Sequence, residues 1–185
     1  MKLSKHDTQP GGETISYIAD ALRPLAIPIE SVNLDAANAR LHPDKNLEAI
    51  VRSLSRFGQR LPIVVQKQGM VVRAGNGRVI AARKMGWKWI AAVVVDEESV
   101  EATAYAIADN RTAELAGWDD DTLASLLQSL PDDARLDAGF GDDDLKELMD
   151  RLTPPVPPDD FAEVDENIPT EHTCPKCGYA WSGGQ

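Results

Sequence analysis

A β-strand, a tight turn and a helix are predicted to follow one another directly in Val71-Val72-Arg73-Ala74-Gly75-Asn76-Gly77-Arg78-Val79-Ile80-Ala81-Ala82-Arg83. The two β-branched valines that open the stretch are typical of a buried strand. Gly75 and Gly77 bracket an asparagine, and both residue types accept the positive φ angles of a sharp turn. Apolar residues at helical spacing from Arg78 onward predict a helix that ends at Gly86.

The start of this helix is a candidate anion-binding site. N–H groups in the first turn of a helix lack intrahelical partners, and the helix dipole favours negative charge there. Arg78 adds a planar cation whose paired donors suit a phosphate group. Two glycines alone would indicate no more than a tight connection, so the prediction of a phosphate site depends on the motifs around them.

The composition describes a chain with a core of ordinary size and an uneven charge. Its 185 residues allow one medium domain with appendages. The net charge of −11 hides 14 basic and 7 acidic residues in positions 1–95, against 5 basic and 23 acidic residues in positions 96–185. Only the first half is therefore expected to meet polyanions such as DNA, and a solvated basic surface is the alternative.

The sequence leads us to expect neither a membrane-spanning segment nor a secretory signal. It lacks a run of ~18 apolar residues. Residues 1–6 lack the apolar stretch of a signal peptide. We therefore expect a cytoplasmic protein without membrane contact.

The order of elements predicts an α/β (α+β) domain with a small mixed sheet. Its predicted strands are an edge strand over residues 27–34, a hairpin over residues 63–74 and a buried strand over residues 90–95. One predicted helix starts at an Asn46 cap, and another runs from Ser99 to Asp109-Asn110-Arg111, with a short helix after it. An N-terminal helix over residues 15–22 and two acidic helices within residues 117–152 complete the prediction.

Five segments are predicted along the chain. They are an N-terminal arm (1–24), the α/β domain (25–116), an acidic helical extension (117–152), a proline-rich acidic linker (153–171) and a Cys-x-x-Cys tail (172–185).

Four short motifs occur in an informative order. They are Asn38-x-Arg40-x-His42, Phe57-Gly58-Gln59, Gly75-Asn76-Gly77-Arg78 and Asp109-Asn110-Arg111. This order resembles the N-terminal domain of the ParB/sulfiredoxin superfamily over about residues 27–116. The resemblance implies a small α/β domain that holds nucleotide phosphates, with these candidate binding residues: Arg40, Gln59, Gly75, Asn76, Gly77, Arg78, Asn110 and Arg111. For Asn110 and Arg111, a simple helix C-cap is an equal alternative.

The chain also departs from the pattern of this superfamily. Asn76 stands where the family carries a glutamate, which argues for binding over catalysis at this position. Sulfiredoxin chemistry needs a cysteine in this turn, and none is present. The extension has no basic recognition helix, so sequence-specific operator binding is not expected.

The two cysteines, Cys174 and Cys177, resemble one knuckle of a zinc ribbon. Zinc takes four ligands, and His172 is a candidate third one despite its short spacing. Two copies of the knuckle in a homodimer would supply four cysteines, and a redox dithiol is a further alternative.

The leading hypothesis is a ParB-like protein that binds CTP or ATP with Mg²⁺ on or near DNA, as a partition, phage or DNA-modification accessory factor. One alternative is an enzyme of the superfamily, a nuclease or a small-molecule phosphotransferase. The carboxylates considered for it are Asp44, Glu48 and Asp109. Another is an adaptor that dimerises through the zinc knuckle.

Overall fold

The computed structural model describes residues 15–153 and 170–182. Most of the predicted arm and linker lies outside these residues. The chain divides into two units, one ending at Leu152 and the other containing the Cys-x-x-Cys tail. Among the described residues, none of the helices combines the length and the apolar character needed to cross a bilayer.

The first unit contains five strands and six α-helices within residues 15–153. The strands are β1 (Ala26–Pro28), β2 (Asn33–Leu34), β3 (Ile63–Gln66), β4 (Val71–Ala74) and β5 (Trp89–Val95). The helices are α1 (Asp44–Phe57), α2 (Asn76–Lys84), α3 (Ser99–Leu115), α4 (Asp120–Ser129), α5 (Asp132–Asp137) and α6 (Asp142–Leu152). Short 3₁₀ helices occupy Asp20–Leu25, Ile29–Ser31 and Gln68–Met70.

The sheet is mixed, with the spatial order β1-β5-β3-β4-β2. β3 pairs antiparallel with β4, as the predicted hairpin requires, and parallel with β5. Ile63, Val65, Val72 and Ile90 from these central strands are fully buried beneath the α2 residue Val79. The predicted α/β fold is therefore confirmed, and the strand-turn-helix of the opening stretch lies at its centre.

The prediction of a single edge strand over residues 27–34 is wrong. The segment forms two strands, and β1 and β2 lie at opposite edges of the sheet. The 3₁₀ turn Ile29–Ser31 separates them. From α2, Arg83 donates to the carbonyls of Ile29 and Val32, at 3.1 and 2.7 Å, and so satisfies backbone groups that a continuous strand would pair.

Helix boundaries also differ from prediction. α1 begins at Asp44, after Pro43, and the Asn46 side chain contacts the His42 ring instead of capping the helix. α2 begins at Asn76, two residues before the predicted start. α3 continues through the predicted break at residues 109–111, where the Asn110 side chain bonds the Ala106 carbonyl one turn back, at 2.8 Å.

Near the N-terminus, the helix predicted over residues 15–22 is replaced by a 3₁₀ helix at Asp20–Leu25. The acidic extension holds three helices where two were predicted. Its α4 begins as the acidic cluster suggests, because Asp119 caps the helix by accepting the Thr122 N–H at 2.8 Å. Leucines of α4 and α6 form a small hydrophobic core of their own.

Candidate phosphate-binding site

The turn between β4 and α2 requires both of its glycines. Gly75 has a φ of 96°, and a Cβ there would lie 2.7 Å from Cγ2 of the buried Ile63. At Gly77 a Cβ would lie 2.8 Å from the His42 ring and 2.9 Å from Cδ1 of Ile50. The first glycine supplies a left-handed backbone conformation, and the second lets α1 and the loop before it approach the turn.

The N-terminus of α2 is open. The Val79 N–H bonds the Gly75 carbonyl at 3.1 Å, which closes the first helical turn. Within the described part of the chain, no side chain caps the helix at Gly75. The N–H groups of the first turn are thus available as donors at the positive end of the helix dipole.

A cavity of about 410 Å³ lies in front of this helix end. Its walls come from the loop before α1, from α1 itself, from the β4–α2 turn and from α3. Six of the eight predicted binding residues line it: Arg40, Gly75, Asn76, Gly77, Arg78 and Asn110. We call this space the phosphate cavity.

Arg78 is fixed at the cavity wall by the backbone. Its Nη1 donates to the carbonyls of Leu61 and Pro62, at 3.1 and 2.9 Å. Burial lowers the pKa of this guanidinium, while the negative charge of Asp109 acts in the opposite direction. The normal pKa of arginine is so high that the side chain stays charged. The site therefore retains a cation that is already held in place and loses little conformational freedom when a phosphate binds.

The contacts of Asn76 account for an asparagine at the position where the ParB/sulfiredoxin superfamily carries a glutamate. Its side chain is buried, its Nδ2 donates to the Val72 carbonyl at 3.1 Å, and its Oδ1 accepts the Asp35 N–H at 3.2 Å. A carboxylate could accept from Asp35 but could not donate to Val72. The amide therefore joins β4 to the loop that follows β2.

Arg40 is paired across the fold. The Asn38 side chain bonds the backbone of Arg40 in both directions, at 3.0 and 3.2 Å, which shapes the loop. The Arg40 guanidinium forms an ion pair with Glu114 on α3. Glu114 also lies 3.4 Å from Nη1 of Arg111. One carboxylate thus neutralises two of the predicted phosphate-binding arginines.

Two predicted residues lie away from the phosphate cavity. Arg111 lines a neighbouring cavity of about 260 Å³, which shares Arg40 and Asn110 with the first. Gln59 is buried, and its side chain bonds both the N–H and the carbonyl of Ala91, at 2.7 and 2.8 Å. These bonds join the end of α1 to β5.

The sequence interpretation missed a further arginine of the cavity wall, Arg73, because its residue type alone indicates only a surface cation. Its guanidinium lines both cavities and pairs with Asp35 at 2.6 Å, with both side chains nearly buried. It also donates to the Gln66 side chain at 2.6 Å. Alternation along β4 puts Arg73 opposite the core residues Val72 and Ala74, and this alternation was the available signal.

Of the carboxylates considered for catalysis, Asp109 lines the phosphate cavity and Asp44 and Glu48 do not. His42 also lines it, and its Nδ1 lies 2.9 Å from the Asn46 side-chain oxygen.

The tail forms a small hairpin of β6 (His172–Thr173) and β7 (Ala180–Trp181) around a cysteine turn. The Gly178 N–H bonds the Cys174 carbonyl at 2.9 Å, and the Cys174 N–H bonds the Tyr179 carbonyl at 2.8 Å. Backbone N–H groups of Lys176 and Cys177 lower the pKa of the Cys174 thiol. The described residues contain no group of three or more potential metal ligands, so His172 does not join the thiols there. Its ring packs instead against Trp181.

No model of a protein family matches the chain. A curated relative is the ParB-like nuclease domain-containing protein YnaK of Escherichia coli K12, 27% identical over 78 residues, which are 42% of this chain and 88% of YnaK. The fold is similar to a C-terminally truncated chromosome-partitioning protein ParB from Caulobacter crescentus complexed with CTP-γ-S. The TM-score is 0.59 and the identity 18%, over 69% of this chain and 77% of ParB. The first unit therefore has an α/β fold like that of the ParB N-terminal region, as the motif order implied.

Proposed function

We propose that the chain binds a nucleoside triphosphate, CTP or ATP, with its phosphates in the phosphate cavity. The observation that carries the proposal is the open N-terminus of α2 facing a cavity walled by Arg40, Arg73 and Arg78. Backbone donors, a helix dipole and guanidinium groups are the components that bind multiply charged phosphates. The ParB of similar fold is complexed with CTP-γ-S, which supports a nucleotide over other anions.

Mg²⁺ is proposed to accompany the nucleotide. A triphosphate normally carries this ion, which takes oxygen ligands in octahedral geometry and is held by one or two carboxylates together with the phosphates. Asp109 faces the cavity from α3, beside the amide of Asn110. Hydrolysis is a second candidate function, because the same carboxylate faces the cavity. The ParB-like nuclease domain of the relative YnaK favours this function.

We further propose that the chain acts on or near DNA as an accessory factor of partition, phage or DNA-modification systems. The basic first half and the ParB-like fold support this role.

At the tail we propose a Zn²⁺ held by Cys174 and Cys177, because a tight turn that brings two thiols together is the usual half of a tetrahedral zinc site. Sharing of this zinc by two chains would give a homodimer.

The nucleotide proposal is tested by titrating CTP and ATP with Mg²⁺ into the protein in a calorimeter. Arg78→Ala is expected to weaken binding at least about a hundredfold, because a charge-assisted contact and the anchor of the cavity wall are lost together. Lys84→Ala is the matched control, since it removes one positive charge from the other end of α2. Equal binding by both variants would contradict the assignment of the cavity, provided that both melt like the parent protein.

A further inference from the structure

The acidic extension lies against a basic face of α1. Lys45, Arg52 and Arg56 are spaced seven and four residues apart, so they lie on one side of the helix. Arg60 continues this side beyond the end of α1, and the guanidinium groups of Arg56 and Arg60 lie 5.8 and 5.2 Å from the centre of the Phe57 ring. We call these four cations the basic face.

Carboxylates of the extension form ion pairs with two of the four cations of the basic face. Nη1 of Arg56 lies 2.8 Å from both Asp133 and Asp137 of α5. Nζ of Lys45 lies 2.8 Å from Asp144 at the start of α6. Among the described residues, neither Arg52 nor Arg60 has an ion pair.

These contacts are polar, and little hydrophobic packing reinforces them. In the part of the chain that the structure describes, the leucine core of α4 and α6 contains no residue of the α/β domain, and the core of the α/β domain contains none of the extension. A crevice of about 190 Å³ remains between α1 and the extension. It is lined by Lys45, Glu48, Ala49 and Arg52 of α1 and by residues of the extension such as Gly139, so one carboxylate of α1 lies among the cations of the basic face. The ion pairs are partly exposed, and pairs at a protein surface contribute only about 0.2–1 kcal/mol each and weaken as salt rises. The extension is thus attached to α1 by contacts that a stronger polyanion can replace.

We propose that the basic face binds the phosphodiester backbone of DNA, and that the acidic extension competes with DNA for it within the same chain. Residues 117–152 carry eleven carboxylates against three basic side chains, so the extension presents the sign of charge that a nucleic acid presents. Phosphate oxygens would replace Asp133 and Asp137 on Arg56 and would also engage Arg52. The inference rests on DNA as the partner named above, whereas the phosphate cavity takes no part in it.

The test compares two double substitutions with the same change in net charge. Asp133→Asn with Asp137→Asn removes the carboxylates that hold Arg56. Asp121→Asn with Asp150→Asn removes two exposed carboxylates elsewhere on the extension that form no ion pair with any described residue. Affinity for a short labelled DNA duplex of mixed sequence is measured by fluorescence anisotropy from about 50 to about 200 mM salt. Circular dichroism verifies that both variants are folded.

At low salt the first variant is expected to bind DNA about threefold to tenfold more tightly than the second, as the loss of two ion pairs implies. Adding Arg52→Ala should reverse the gain, and Asp144→Asn alone, which frees Lys45, should give a smaller gain. Equal affinities of the two double variants, or no binding by either at the lowest salt, would overturn the inference. Nucleotide titrations of the same variants separate the two proposals. A gain in DNA affinity without nucleotide binding would support the inference and contradict the phosphate cavity. Nucleotide binding without a gain in DNA affinity would support the phosphate cavity and contradict the inference.

Discussion

At the scale of single residues, the candidate site contains its own counter-charges. Glu114 neutralises Arg40 and Arg111, and Asp35 neutralises Arg73. The pair of Arg73 and Asp35 is nearly buried, so separating it would leave an unpaired charge away from water. The pair of Arg40 and Glu114 is about half exposed, so its separation costs little. Of these two paired arginines of the cavity wall, Arg40 is therefore the one that an incoming phosphate recruits at the lower cost.

From this difference, Glu114→Gln is expected to raise nucleotide affinity about twofold to fivefold, because the phosphates no longer compete with a carboxylate for Arg40. Glu101→Gln is the control, since it removes the same charge from the exposed first turn of α3. Calorimetric titration with Mg²⁺-CTP measures both variants. Equal affinities would mean that Arg40 does not contact the phosphates, and a loss in Glu114→Gln would mean that Glu114 itself supports the ligand.

At the scale of elements, the strand-turn-helix depends on Gly75 for two reasons. The residue has a left-handed φ, and its Cα faces the buried side chain of Ile63 on the neighbouring strand β3. Gly86, at the other end of α2, has a φ of 74°, and a Cβ added there would meet no described atom within 4 Å. Both glycines thus have a left-handed φ, but only Gly75 also lacks space for a Cβ.

Substitution of each glycine by alanine separates these constraints. Gly86→Ala is expected to lower the free energy of unfolding by about 1–2 kcal/mol, the cost of a left-handed φ for a residue with a Cβ. Gly75→Ala should lower it by a further ~1–3 kcal/mol, the cost of overpacking against a core side chain. Urea unfolding followed by circular dichroism gives both values. Equal losses of stability would mean that the Ile63 side chain can move away from the added Cβ at no cost, which would contradict the second constraint on Gly75.

The sequence predicted the central elements because their signals are local. Alternating or continuous apolar residues indicated β3, β4 and β5, and the glycines indicated the turn before α2. The parts that were wrong depend on contacts between distant residues. Arg83 stabilises a turn 51 positions earlier in the chain, at Val32, and this turn divides the predicted edge strand in two. Asn110 favours a helix end by its residue type, yet its bond to Ala106 keeps it inside α3.

The sequence placed part of the candidate site together, and it indicated neither Arg73 nor the ion pairs of the arginines. Six of the eight residues proposed from the motif order line one cavity. Gln59 instead bonds Ala91, 32 positions away, and the pair of Arg40 and Glu114 joins residues 74 positions apart. Such partners are set by the tertiary fold, so no pattern of neighbouring residues indicates them.

At the scale of the whole molecule, the tail brings a chemistry that the α/β domain lacks. The turn between β6 and β7 holds both cysteines of the chain. Two thiolates provide half of a tetrahedral zinc coordination, and His172 packs on Trp181. Two tails that meet at one ion would complete a Cys₄ site and join two phosphate cavities in one assembly.

This arrangement predicts about half a zinc per chain and a dimeric mass for the purified protein. Removal of zinc by a chelator should convert the dimer to a monomer, because zinc-binding free energy would be the main contribution to association. Cys174→Ser should have the same effect, whereas Lys176→Ala, within the same turn but without a metal-binding sulfur, should remain dimeric. Metal analysis combined with light scattering measures both quantities. One zinc per monomeric chain would show that the remaining ligands come from within the chain, and a dimer that survives both the chelator and the loss of Cys174 would place the contact between copies elsewhere.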